Sequence, residues 1–291
     1  HPDPIHVTAH FLYSPSATSF EGHIRLVKKG KNFTNMEADL VQDNITKISS
    51  HLIFGVLELP PSPGSSSDSN KSIKEANFNY ISVLPPSPYA RRLPLYHHPA
   101  TAPRASFPSL MKFHSRLDLS FKPEIVARNE PGSLHRTNAE TVGGGGVETG
   151  FWRGFSKHRS EEDNRKHQGG PEVLSVSNLP LPYHSFCRSW FPTMTMSIEY
   201  KFAIPKSSKR TTTIHSNCTV GVFSSTNFLH GTMGRHSLYT ELWTAPCHIG
   251  EDVRVNKGWR DDQVCLAVSM QMVLVVPMER NLTKGKEKGK L

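Results

Sequence analysis

Apolar residues alternate with polar ones from Ile5 to about Phe54: Ile5, Val7, Ala9 and Phe11, then Ile24 and Leu26, then Met36, Ala38 and Leu40, then Leu52 and Phe54. A period of two belongs to a strand with one buried face, so this stretch predicts four antiparallel strands. Turn residues separate them at Ser14-Pro15-Ser16, Lys29-Gly30-Lys31 and Gln42-Asp43-Asn44 and predict meander connections. Alternation returns at Leu117, Leu119 and Phe121, then at Met194, Met196, Ile198 and Tyr200, and then through Val220, Val222, Tyr239, Leu242 and Trp243. Between these blocks Pro60-Pro61-Ser62-Pro63, Pro85-Pro86-Ser87-Pro88 and the glycines 143–146 break every period. The only window long enough for a buried helix, Glu161 to Asn178, contains Gly169-Gly170-Pro171. A helix interior loses about 1 kcal/mol at each Gly and about 3 at a Pro, so no strong helix is expected there. The pattern divides the chain into an ordered block at 1–59, a largely irregular Pro/Gly-rich linker at 60–146, a second ordered block at 147–280 and a basic tail at 281–291.

Charge narrows the partners. Among 291 residues, 34 Lys and Arg against 25 Asp and Glu give a net charge of +9, which suits an anionic ligand. Nucleic acid is not expected, because Phe and Tyr are not interleaved with the basic runs as a stacking platform needs. The cysteines, Cys187, Cys218, Cys247 and Cys265, show neither a Cys-x-x-Cys pair nor zinc-type spacing, so no metal is expected. His97, His98 and His248 likewise have no partner spacing for catalysis or metal. The chain opens His1-Pro2-Asp3-Pro4 without a basic and then apolar leader, so the thiols read as free and intracellular. The longest apolar stretch, Val264 to Met278, is too short to span a bilayer as a helix. Gly289-Lys290-Leu291 resembles the peroxisomal Ser-Lys-Leu address, which leaves cytoplasm and peroxisome as the expected locations.

Three segments of the first block carry a family resemblance: His1-Pro2-Asp3-Pro4-Ile5-His6-Val7-Thr8-Ala9-His10-Phe11-Leu12, Lys28-Lys29-Gly30-Lys31-Asn32-Phe33 and Leu40-Val41-Gln42-Asp43. In the second block it is carried by Trp190-Phe191-Pro192-Thr193-Met194-Thr195-Met196-Ser197-Ile198-Glu199-Tyr200, by Gly234-Arg235-His236 through Trp243, and by Gln263-Val264-Cys265-Leu266-Ala267 through Gln271. In this order the segments resemble the thioesterase-like superfamily, specifically the fungal branch of the acyl-CoA thioesterase II type of double-hotdog protein. The resemblance implies an α+β fold, a double hotdog, in which each antiparallel sheet wraps one long apolar helix. The first helix would precede the segment equivalent to His1 and the second would lie between Trp152 and Trp190, so both central helices are expected to be missing or degenerate.

The resemblance also implies hydrolysis of acyl-CoA to free acid and CoA without a cofactor. In the family an Asp, a Ser or Thr and a Gln position a water and polarise the thioester carbonyl. Gln271 matches the Gln, and Ser197 and Thr195 are the hydroxyl candidates. The Asp has no counterpart, since Asp163 sits in a run of charged residues. A hydrolase without it is expected to lose about 10²- to 10⁴-fold, the worth of general-base help. CoA phosphates need cations, and Lys28, Lys29 and Lys31 flank the first hairpin while Lys206, Lys209 and Arg210 follow the Thr/Ser strand. The rival expectation is a non-catalytic hotdog that binds acyl-CoA or a protein partner. Self-association through sheet edges is expected as well, because a sheet face without its helix stays apolar.

Overall fold

The computed structural model describes residues 2–60, 89–104, 117–121, 146–155, 189–203, 215–230 and 234–277. The described strands are β1 (Asp3–Phe11), β2 (Glu21–Lys29), β3 (Thr34–Gln42), β4 (Ile45–Gly55), β5 (Leu117–Phe121), β6 (Gly146–Phe155), β7 (Ser189–Trp190), β8 (Thr193–Tyr200), β9 (Thr219–His230), β10 (Arg235–Thr244), β11 (Cys265–Val273) and β12 (Val276–Pro277). Ten of them form one antiparallel sheet in the order β2-β3-β4-β1-β8-β11-β10-β9-β6-β5, and β12 pairs with β7. No helix occurs among the described residues, and the Glu161 to Asn178 window lies outside them.

The N-terminal strands form where alternation predicts them. Asp43 and Asn44 adopt φ of 52° and 57° between β3 and β4, a left-handed turn that short Asx side chains tolerate. The meander is correct for β2, β3 and β4 but not for β1, which pairs with β4 on one side and β8 on the other. Residues 12–20 carry Pro15 and form no tight turn, so the chain can travel past β4 and β3 to reach β2. The Gln42 amide fastens this connection: Oε1 accepts from Ser16 N at 2.9 Å, and Nε2 donates to Ser16 O at 3.1 Å and Ser19 O at 3.3 Å.

Residues opposite one another in antiparallel strands share a face, so the register assigns every side chain to one side of the sheet. One row reads Thr149, Ser224, Thr240 and Ser269 across β6, β9, β10 and β11, then Ile198, Val7, Leu52, Met36 and Leu26 across β8, β1, β4, β3 and β2. Along this row the face is hydroxyl-bearing on the C-terminal strands and apolar on the N-terminal ones, whereas the next row on the same face, Phe151, Val222, Leu242, Ala267 and Tyr200, is apolar or aromatic throughout. The opposite face is reversed, with His6, Thr8, His51, Glu37 and Arg25 on the N-terminal strands and Trp152, Phe223 and Trp243 on the C-terminal ones. In the row through Ser269 and Ile198 the change from hydroxyl-bearing to apolar side chains falls between β11 and β8.

The aromatic side of the C-terminal strands is covered by residues 89–104 and by the chain after β10. Leu93, Leu95, Ala102, Ala245 and Ile249 pack with Trp152, Phe223 and Trp243 as the core. Residues 89–104 belong to the Pro-rich tract and lack regular structure, as prolines favour, yet they are packed rather than solvated, with Leu93 and Leu95 at 0% and 1% exposure. Hydrogen bonds hold them: Arg260 Nε donates to Leu93 O at 3.1 Å, Trp152 Nε1 to His97 O at 2.9 Å and Gly250 N to Pro99 O at 3.0 Å. The Glu241 carboxylate, 3% exposed, accepts from Arg91 Nε at 3.0 Å, Trp243 Nε1 at 3.0 Å and Tyr239 Oη at 3.1 Å. Burial, reinforced by that carboxylate, raises the Tyr239 hydroxyl to about 12.

Two outcomes are expected. Leu93→Ala should lower the free energy of urea unfolding by about 2–5 kcal/mol, the cost of a large-to-small change in a closed core, whereas a solvated spacer would show no change. Burial also lowers the pKa of His98 and, against the opposing pull of Gln263 and Asp262, that of His215. The unfolded chain, with both groups near the ordinary value of about 6.5, then binds protons that the folded chain refuses as pH falls. Their contribution to stability is complete above about pH 6.5 and is lost below it, so the urea midpoint should drop between about pH 7.5 and pH 5.5, and less steeply in His98→Asn.

Candidate functional site

Gln271 lies two residues before the end of β11, where its register partners are Leu238 on β10 and Met196 on β8, and Ala9 follows on β1. It stands beside the row in which hydroxyl-bearing side chains give way to apolar ones. Thr193 Oγ1 donates to Gln271 Oε1 at 3.2 Å. In this arrangement the amide oxygen accepts and both Nε2 hydrogens are left without an acceptor among the described residues. Two residues earlier on the same face, Ser269 Oγ is buried with no hydrogen-bond partner among them. An unsatisfied buried hydroxyl costs about 1–3 kcal/mol, so the sheet carries a local penalty beside Gln271.

Thr193 reaches Gln271 because β8 carries a bulge. Met272 pairs with Thr195 but Val273 pairs with Thr193, so Met194 is the extra residue and the alternation skips a step. Simple alternation would set Thr193, Thr195 and Ser197 on one side, whereas the bulge separates Thr193 from the other two. Thr195 and Ser197 pair with Met272 and Met270 and so face away from Gln271. On that opposite face Ser197 Oγ meets His6 Nε2 at 3.4 Å, and the same nitrogen meets Thr8 Oγ1 at 3.0 Å. Of the three side chains expected at one site, the structure gives Gln271 a different hydroxyl partner and leaves Ser197 and Thr195 together on the other side.

The basic residues divide as well. Lys28 and Lys29 end β2 and Lys31 follows it, at the far edge of the sheet. Five strand spacings of about 4.8 Å separate β2 from β11, so these lysines stand roughly 24 Å from Gln271. Lys206, Lys209 and Arg210 lie outside the described residues. Among the described residues no cluster of His, Cys, Asp or Glu could hold a metal ion, and no helix is long and apolar enough to cross a membrane.

Sequence reasoning also missed a partner for His248. Asp118, far from it in the chain, meets His248 Nε2 at 3.2 Å through the pairing of β5 with β6. Spacing could not show this, because the two residues meet only once the sheet has formed.

Neither a protein-family model nor a curated protein matches the chain. Solved structures do match. One, assigned to a thioesterase II of Thermobifida fusca YX, is similar with a TM-score of 0.53 and 18% identity, over 94% of this chain and 79% of that one. Another, a hot dog fold protein of unknown function from Alicyclobacillus acidocaldarius, gives 0.51 and 13% over 94% and 81%. The fold is that of the hotdog proteins. At these identities the likeness is one of architecture, and the chemistry of this hotdog sheet has to be argued from its own residues.

Proposed function

We propose that the chain is an acyl-CoA thioesterase-like protein of two hotdog units, 1–59 and 147–280, that places the thioester of its substrate against Gln271. The observation that carries this reading is the Gln271 amide, bonded through its oxygen to Thr193 and with no acceptor for its N–H groups among the described residues, beside the row in which hydroxyl-bearing side chains give way to apolar ones. A thioester has the same division, with an aliphatic acyl chain on one side of the carbonyl and an amide-rich polar arm on the other. The acyl chain would lie along Met196, Ile198, Val7 and Leu52, and the polar arm along Thr240 and Ser224, whose hydroxyls bond each other at 3.0 Å. The Gln271 Nε2 hydrogens would donate to the carbonyl oxygen, where negative charge grows as water attacks. Thr193 replaces Ser197 and Thr195 as the favoured hydroxyl, because it alone of the three bonds to Gln271.

A specific observation favours the non-catalytic alternative. The register positions around Gln271 hold Leu238, Met196, Thr240, Ile198 and Thr193 among the described residues, and none of these is a carboxylate that would activate water. A sheet that binds acyl-CoA in this way without hydrolysing it would keep the amide and do without the base.

Release of free CoA thiol from short, medium and long acyl-CoAs decides between the two. In a hydrolase Gln271→Ala should lower turnover by about 10²- to 10³-fold, as for loss of one oxyanion donor, and Thr193→Val should lower it about 10-fold by freeing the amide to rotate. Ser197→Ala and Thr195→Ala should leave turnover within about twofold. Acyl-CoA binding without turnover by a chain that melts cooperatively would establish the binding reading, and turnover that survives Gln271→Ala would exclude this site.

A further inference from the structure

The second polar cluster of the fold lies on the aromatic side of the C-terminal strands. Asp118 on β5, Gly154 on β6 and Thr219 on β9 occupy one register row. The His248 ring lies over Gly154, where a Cβ would stand 2.8 Å from its Cε1 and 2.9 Å from Thr219 Oγ1. Any larger residue would expel the imidazole, so the missing side chain is what makes room for the ring. From there the ring bridges the row, with Nε2 at 3.2 Å from Asp118 Oδ2 and Nδ1 at 2.7 Å from Thr219 Oγ1 and 3.4 Å from Cys218 Sγ. Glu251 Oε2 accepts from His248 N at 2.8 Å and fixes the backbone beneath it.

Charge decides the tautomer. A carboxylate only accepts, so the proton of the neutral ring sits on Nε2 facing Asp118, and the one lone pair of Nδ1 takes the Thr219 hydroxyl at 2.7 Å or, when that hydrogen turns away, the Cys218 thiol at 3.4 Å. Thr219 is 2% exposed, too enclosed for a ligand to reach its hydroxyl, whereas Cys218 is partly exposed. Ser216 Oγ accepts from Cys218 N at 3.3 Å and Thr219 N at 3.1 Å and holds the thiol at the entry to β9. Cys247 and Cys265 belong to other surroundings, where burial above all raises each to about 11.

We propose that Cys218 is a nucleophilic thiol that accepts acyl groups from thioesters, with His248 as its base and Asp118 and Thr219 as positioning residues. His248 Nδ1 takes the thiol proton, and Asp118 stabilises the imidazolium that results. The thiolate attacks the thioester carbonyl, a carbon–sulfur bond to Cys218 forms and the bond to the leaving sulfur breaks. The leaving thiolate takes the proton back from Nδ1, giving S-acyl-Cys218 and a free thiol. Oxidation state does not change and no co-reactant is needed, which sets this exchange apart from disulfide or sulfenate chemistry. The site stands apart from Gln271, on the other face of the sheet.

The test uses the full chain with acetyl-CoA, quenched in acid and read by intact and peptide mass spectrometry. One acetyl group on Cys218, removable by neutral hydroxylamine, is the expected result, with its rate falling about 10²- to 10⁴-fold in His248→Gln. In Asp118→Asn the pH profile of iodoacetamide labelling at Cys218 should move, a change that a purely structural role for the cluster would not produce. Should His248→Gln fail to fold, the comparison is between Cys218 labelling in the native and in the urea-unfolded wild-type chain, with the native form expected to react faster per thiol. Labelling no faster than in the unfolded chain, acetylation at another cysteine, or a rate unchanged in His248→Gln would each overturn the proposal. Acyl transfer is read as mass on the chain and hydrolysis as thiol released beyond one equivalent, so the two proposed sites can fail separately.

Discussion

The pairing of β1 with β8 is the contact on which the rest of the sheet depends. Five register pairs, His6↔Glu199 through His10↔Thr195, join the N-terminal strands to the C-terminal ones and make a single sheet of two four-stranded or larger parts. A long-range antiparallel pair carries a loop-closure cost before any contact is gained, and here the intervening chain is most of the protein. Once made, the pair sets Ala9 beside Met196 and therefore decides which residues flank Gln271. A slip of one residue at this junction would turn His6 and Thr8 toward the apolar face and carry Val7 and Ala9 to the polar one.

The core aromatics of the C-terminal strands and the apolar row of the N-terminal strands face opposite ways, which gives the sheet two distinct chemical neighbourhoods. A sheet covered on a single face would bury every apolar residue together and leave only a solvated back. Here the C-terminal strands bury Trp152, Phe223 and Trp243 under residues 89–104, while the N-terminal strands turn Val7, Leu52 and Met36 the other way. Each face also holds a polar group among apolar ones: the Gln271 amide on one, and on the other the buried Glu241 satisfied by Arg91, Tyr239 and Trp243. Removing one partner from such a buried group leaves an uncompensated charge, which is why these donors act as a set.

Strand positions were legible in the sequence because alternation is a local property. Met194, Met196, Ile198 and Tyr200 announce β8, and Leu117, Leu119 and Phe121 announce β5, even inside a Pro-rich region. Topology was less legible: nothing local distinguishes a β1 that pairs with β2 from one that pairs with β4. The candidate site was readable to the same degree. Gln271 stood out as an amide among apolar residues, but its hydroxyl partner depended on a bulge at Met194 that alternation cannot reveal. His248 gave no signal, since its meaning comes from Asp118 and Gly154, which adjoin it only through two strand pairings. Residues 89–104 were read from their prolines as spacer, yet prolines bar only regular structure and leave Leu93 free to fill a core.

Edge strand β2 has a consequence for how copies of the molecule behave toward one another. Among the described residues it is paired on one side only, every residue in it is exposed, and Ile24, Leu26 and Val27 are among its side chains. Such a rim is a template on which another chain can crystallise its own strand. Glu21, Arg25, Lys28 and Lys29 lie along the same nine residues, and Arg25 is already paired with Glu37 of β3. Charged side chains on an exposed edge are gatekeepers. A strand added here would have to strip water from those four side chains, so desolvation is the guard this rim carries.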